Sequence, residues 1–354
     1  MVYTEITVLL VVVMAVMLLG IVYTALHRKG WLEVVDILLP ELRGLDARSE
    51  IASIIVHPLF WIVSVAIIAF FTISLLFSVN QTGIGYEWLV FSFAVVIFFA
   101  LFDPLVIWFS EGKYHEPLRF VFGAMSYGAV CALFAFFINS MANIWLNIEF
   151  GERMGLLLLI ATAPIVEEAL KMVGVVLIAG HKNFKGPLDG ILIGFSVGTG
   201  FAMMENIFYA ATKIPENSIE LLVFRALYNT LAHGAFTAIG GAVLGKIREV
   251  GRVHWVVRIM VPFFVAALTH TAFNVLAIVD IIGVNSLVLQ YYIFSPMMVV
   301  ALMLIITILI FYNWWDRKKR ISKELEALGV GIDFDKEFRK LKEKQDIQKT
   351  GNKK

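Results

Sequence analysis

The sequence predicts an all-α fold: a polytopic membrane helical bundle of about nine transmembrane helices with a basic C-terminal cytoplasmic tail. Three observations predict it. The chain is 60% hydrophobic and only 16% charged, whereas soluble domains are roughly 45–50% apolar and about 25% charged. The apolar residues fall in uncharged runs such as Ile62–Phe77 and Met298–Phe311, and about 20 such residues make an α-helix that crosses a hydrocarbon core of about 30 Å. No stretch of about ten residues alternates with the period of two that an outer-membrane barrel strand needs.

Spans are predicted at about 6–26, 55–78, 88–109, 120–144, 155–179, 189–211, 222–245, 256–279 and 288–313. Met1–Ile6 lacks the basic region of a cleavable signal peptide, so the first run is read as a retained helix. Pro58, after His57, suits the first turn of the second span. The amphipathic segment Trp31–Ile51 is expected on the membrane surface or against the bundle. The chain then divides into N-terminal transmembrane helices (1–149), a core that holds the buried polar residues (150–280), a last helix (281–315) and the tail (316–354).

Loop charges give an orientation. Arg28, Lys29, Arg43 and Arg48 occupy the first link, Lys113 and Arg119 the third, Lys182 and Lys185 the fifth, and Lys246, Arg248 and Arg252 the seventh. The links around Gln81–Glu87, Arg153, Lys213 and Gly283–Ser286 are poor in basic residues. Basic loops stay cytoplasmic, so the N-terminus is expected outside and the C-terminus inside a cell membrane. The tail opens with Asp316-Arg317-Lys318-Lys319-Arg320, which suits a lipid-headgroup anchor. Leu325, Leu328, Phe334, Phe338 and Leu341 suit a short amphipathic helix, and Gln345–Lys354 is expected to be disordered.

The remaining composition excludes several classes. The single cysteine, Cys131, sits in an apolar run and reads as an inert thiol. The net charge of +1 says little, because the charges sit in loops and the tail; no nucleic-acid partner is expected. There is no His-Glu-x-x-His or phosphate-loop motif. Asp103-Pro104 reads as a helix cap or kink, and His181 and His254 as structural loop residues.

Ionisable groups inside a span are costly unless paired, so they mark function by default. Nearly all of them lie in the fifth to eighth spans. Glu167 and Glu168 are adjacent near mid-bilayer, and Lys171 follows them by four and three residues on the same helix surface. Lys171 neutralises one carboxylate and leaves the other over. Glu205 follows one span later. Arg225, Asn229 and His233 recur at intervals of four, as do His270 and Asn274. Measured along antiparallel spans, these groups all lie between the outer interface and the midplane, so they can face one polar cavity. Gly190, Gly194 and Gly198, and Gly234, Gly240, Gly241 and Gly245, permit close helix approach.

Glu167-Glu168-x-x-Lys171, Phe201-x-x-x-Glu205, His233 and His270-x-x-x-Asn274, in this order on four consecutive spans, resemble the PrsW family of intramembrane proteases. That family shares a glutamic-type superfamily with CAAX prenyl endopeptidases and bacteriocin-processing enzymes. The resemblance covers about 150–280, and Asn206, Arg225 and Gly241 also fit it. CAAX enzymes typically carry arginine four residues after the second glutamate, where this chain has Met172, and histidine at the position of Glu205, so prenyl-protein processing is not implied. What the resemblance implies is a peptidase that cuts membrane-anchored proteins, such as anti-sigma factors, near the outer face.

The expected mechanism is attack by glutamate-activated water, with Glu167 or Glu168 as general base and Lys171 beside them. His233 serves as second base or oxyanion donor, His270 and Asn274 hold the oxyanion, and Glu205 orients water or a histidine. No cofactor is expected on this reading. A zinc metalloprotease, with Glu167, Glu205, His233 and His270 as ligands, is the alternative. An ion-coupled transporter or a non-catalytic scaffold are readings of other classes. The absence of visible repeats argues against the first of these.

Overall fold

The computed structural model describes chiefly residues 86–110, 117–181, 183–212, 218–251, 253–278 and 299–312, with isolated positions from 52 to 64 and at 297 and 315. The predicted first span, most of the second, the segment Trp31–Ile51 and the tail lie outside the described residues, and so does the sequence-derived count of about nine. The chain divides into a unit Met1–Ile306 and a unit Thr307–Lys354. The larger unit contains the helices described next.

Those helices are α1 (Tyr86–Ser110), α2 (Leu118–Phe150), α3 (Glu152–Ile178), α4 (Pro187–Thr212), α5 (Ile219–Phe224), α6 (Thr230–Val250) and α7 (Trp255–Ile278). A π-helical turn, Arg225–Asn229, joins α5 to α6. The described residues are helical and contain no strand. Four helices are long and apolar enough to cross a membrane among the described residues: α1, α2, α4 and α7. The chain is a membrane protein built from such helices.

Local sequence sets the ends of these elements. Gly151 has φ +76°, which an L-residue disfavours, and closes α2 directly onto α3 with its N–H on the Asn147 carbonyl. Gly251, at φ +80°, ends α6 with its N–H on the Ile247 carbonyl. The Asp189 carboxylate caps the start of α4, accepting the Lys185 and Gly186 backbone N–H groups. Asp103 and Pro104 do not end a helix: α1 continues through them to Ser110, and Asp103 is buried. The His181 ring packs edge-on to Phe120, 4.9 Å between centroids, and its Nδ1 accepts the Asn183 N–H. His181 is structural in this sense.

Helix α4 is the hub, buried along most of its length between α2 and α6. The glycine stripe is the reason. A Cβ on Gly190, Gly194 or Gly198 would collide with the backbone carbonyl of Gly241, Thr237 or His233 on α6. Hydrogen at these positions lets the two backbones touch, which maximises packing where lipid offers no hydrophobic drive. The contact also fixes the height of His233 on α6 against α4. On the far side, α1 and α7 present Phe98, Phe102, Trp255, Phe264 and Leu268 outward. In hydrocarbon such a face is solvated by lipid tails.

Candidate functional site

The polar residues of α3, α4, α6 and α7 converge at one end of the bundle. They adjoin a cavity of about 550 Å³ lined by the C-terminal parts of α2, α4 and α7, the N-terminal half of α3 and the π-turn. Glu167, Glu205, His233, His270 and Asn274 line it; Glu168 and Lys171 do not. These last two are completely buried behind the wall.

Adjacency on a helix separates the two glutamates by about 100°, and that rotation gives them different surroundings. Glu168 turns into the bundle. Its Oε1 accepts from Lys171 Nζ at 2.7 Å and lies 3.0 Å from His270 Nδ1, while its Oε2 accepts from Thr237 Oγ1 at 2.9 Å. Glu167 turns to the cavity and is 12% exposed. Its Oε1 accepts from Asn139 Nδ2 at 3.1 Å. Its Oε2 is 4.0 Å from both Lys171 Nζ and His270 Nε2, and is buried without a hydrogen-bond partner. The surplus carboxylate expected from the sequence is therefore Glu167.

Lys171 reaches three groups besides Glu167. Besides Glu168, its Nζ contacts His233 Nδ1 at 2.7 Å and lies 4.1 Å from the Phe201 ring centroid. An ammonium only donates, so His233 Nδ1 accepts and the ring proton sits on Nε2. Nε2 lies 3.0 Å from Glu205 Oε2. Both His233 nitrogens are thus engaged, which does not suit the expected role of second base.

The same logic applies to His270. A carboxylate accepts, so Nδ1–H donates to Glu168, and when the ring is neutral its Nε2 lone pair faces Glu167. The expected role of oxyanion donor would require an additional proton on this ring. Phe236 stacks on it, 4.7 Å between centroids, and holds its plane.

Glu205 gathers the residues that recur at intervals of four along the π-turn and the first turn of α6. It accepts from Asn229 Nδ2 at 2.9 Å, binds His233 and forms an ion pair with Arg225 Nη2 at 3.5 Å. Asn206 ties the π-turn in place, donating to the Arg225 carbonyl at 3.2 Å and accepting from Asn229 at 3.0 Å. Reading the sequence missed Asn139 and Thr237. Neither is ionisable, and Asn139 lies on α2, outside the motif helices. A polar residue two-thirds along an apolar helix was its one signal.

Whether these residues suit a metal can be tested on the donors. Glu167, His233 and His270 each offer an atom, all within 4.8 Å of one another. Two nitrogens and one oxygen are a zinc-type set, the Glu167 Oε2 atom is unpartnered, and Glu168 backs His270 as outer-shell carboxylates do. The set fits in kind and spacing, with His233 exchanging one of its present bonds. Glu205, expected as a fourth ligand, is outside this group.

Comparisons with known proteins identify a family. The family described as PrsW family intramembrane metalloprotease matches residues 116–307. The chain is 33% identical over 107 residues to Protease PrsW of Geobacillus kaustophilus, covering 29% of this chain and 46% of the relative. It is 29% identical over 141 residues to Protease PrsW of Oceanobacillus iheyensis, 40% of this chain and 62% of the relative. It is 33% identical over 113 residues to Protease PrsW of Bacillus subtilis, 31% and 49% respectively. The chain thus matches about half the length of these relatives. No solved structure matches it.

Proposed function

The chain belongs to the PrsW family of intramembrane proteases, and we propose that it is an endopeptidase that cuts membrane-anchored proteins near the outer membrane face. Anti-sigma-factor-like substrates fit this reading. The observation that carries it is the Glu167 Oε2 atom, unpartnered at the cavity wall 4.0 Å from the lone pair of His270 Nε2. Two acceptors facing one space suit a water that donates a proton to each. Such a water has its oxygen lone pairs turned to the cavity.

Glu167 is the general base in this mechanism. The water oxygen bonds to the scissile carbonyl carbon, the carbonyl π pair moves onto its oxygen, and the water proton passes to Glu167. Asn274, whose side chain lines the cavity, donates to the developing oxyanion. When the intermediate collapses, the C–N bond breaks and the proton on Glu167 moves to the departing amine. Glu168, Lys171 and Glu205 position the two histidines, and Glu168 and Lys171, buried behind the wall, touch no substrate. His233 links Lys171 to Glu205 and sets the cavity wall.

The donor set supports a second reading. Glu167, His233 and His270 would hold a zinc-type ion, which when bound supplies Lewis acidity and a more acidic water. In either case Glu168 orients His270 through Nδ1.

The side of the membrane follows from charge. Lys185, Lys246 and Arg248 lie at the end of the bundle opposite the cavity, which by the positive-inside rule is cytoplasmic. Helical amides are already hydrogen-bonded, so the substrate must unwind before attack. The cut therefore falls at or just beyond the outer end of the substrate's span.

The test is cleavage of a single-span anti-sigma-type substrate by purified protein in vesicles, with products mapped by mass spectrometry. Cleavage at the outer end that persists in 1,10-phenanthroline is expected. Cleavage that stops and returns with added zinc would favour the second reading. A principal cut at the cytoplasmic end would refute the outward cavity.

A further inference from the structure

Arg225 has no part in the mechanism above, and its guanidinium is incompletely satisfied. It lies on the π-turn, lines the cavity and is 20% exposed. The Tyr209 ring lies 3.7 Å from its central carbon. Glu205 compensates its charge at 3.5 Å without hydrogen-bond geometry. Nε and Nη2 are both buried with no hydrogen-bond partner. These two nitrogens share one edge of the planar group, the fork that takes two acceptors side by side.

We propose that Arg225 is a substrate-positioning residue whose unpartnered edge, covered in this structure, turns to the cavity and donates to backbone carbonyl oxygens of a locally unwound substrate segment. This rests on reading the cavity as the peptide-binding cleft. Buried donors without acceptors are costly, so the edge calls for an acceptor from whatever fills the cavity. A carboxylate is the poorer candidate, because Glu167 and Glu205 already line the same walls and like charges repel strongly where water is scarce. A peptide carbonyl is uncharged. Unwinding a substrate helix frees such carbonyls in a region where water cannot pair them. The Asn139, Asn143 and Asn274 amides on the walls donate and accept alike. Arg225 only donates, so it selects carbonyl oxygens and fixes the direction of the bound segment. The Tyr209 ring and the Asn206 tie to its carbonyl hold it in place for this.

The test measures binding without turnover, in an E167Q background. Two fluorescein-labelled peptides are compared in detergent micelles. Each has one Leu/Ala span; one carries Gly-Asn-Gly just inside its end and the other Ala-Leu-Ala. The E167Q protein should bind the glycine peptide about ten-fold more tightly, one hydrogen bond to a charged donor being worth about that factor. E167Q/R225K should lose that preference. Lysine keeps the charge beside Glu205 but lacks the fork, so a retained preference would mean that Arg225 only neutralises Glu205, and would overturn the proposal. If E167Q/R225K melts early, R225M combined with E205Q and E167Q removes both charges and the donor and replaces it, with the same two outcomes. Equal or absent binding of the two peptides by E167Q also overturns the proposal. If the preference depends on Arg225 but the wild-type protein cuts neither peptide, the protease reading fails and the carbonyl subsite stands.

Discussion

Lys171 Nζ lies 2.7 Å from His233 Nδ1, joining α3 to α6 across 62 positions of the chain. With Glu168 on its other side at 2.7 Å, this buried cation holds the imidazole in one tautomer and one plane. Under the proposed mechanism, the arrangement separates residues that shape the site from the residue that acts on the substrate, and the separation can be measured.

Glu167→Gln should abolish cleavage and leave thermal unfolding in detergent close to wild type. Its carboxylate faces the cavity and is compensated weakly, so the amide costs little. Glu168→Gln should lower the melting temperature strongly, because it leaves Lys171 buried without its counter-charge, a loss of about 3–5 kcal/mol. Cleavage and melting curves on both variants check this. An E167Q protein with wild-type activity would remove Glu167 from the mechanism.

Lys171→Met should destabilise the protein about as much as Glu168→Gln, by stranding the other charge. The double variant should be less destabilised than the sum of the two, since a removed buried pair leaves no lone charge. A thermodynamic cycle of melting measurements gives the coupling, and additive effects would show that the pair is not energetically linked.

Gly194→Leu should cost both stability and activity. Its side chain would collide with the Thr237 carbonyl and Ala238, and Thr237 donates to Glu168. Overpacking costs about 1–3 kcal/mol, and moving α6 from α4 displaces His233 with it. Val173→Leu, on an exposed face of the same bundle, should leave melting and cleavage unchanged.

Cysteine labelling in intact cells tests the orientation. Cys131 is buried, so the native background should be silent. Ile148→Cys, at the cavity end of α2 where the native side chain is 75% exposed, should react with an impermeant maleimide. Lys246→Cys should react only after permeabilisation. The reverse pattern would place the cavity on the cytoplasmic side.

Composition and run length alone determined that this chain is helical and membrane-embedded, because crossing hydrocarbon demands apolar length and internal backbone hydrogen bonds. Four-residue spacing likewise determined that Arg225, Asn229 and His233 share a face, and all three meet Glu205. The glycine intervals announced a close helix approach, and the structure makes it the α4–α6 contact. Only the tertiary structure decided which glutamate is free: Glu167 and Glu168 are chemically identical neighbours, and the choice depends on which way α3 is rotated against α6 and α7. It also decided that Asn139 and Thr237 complete the site, since uncharged side chains carry no signal until a partner from another helix meets them. The roles of the histidines followed from the same cause. A ring's donor and acceptor are assigned by what lies on each side of it, and for His233 and His270 those partners come from other helices.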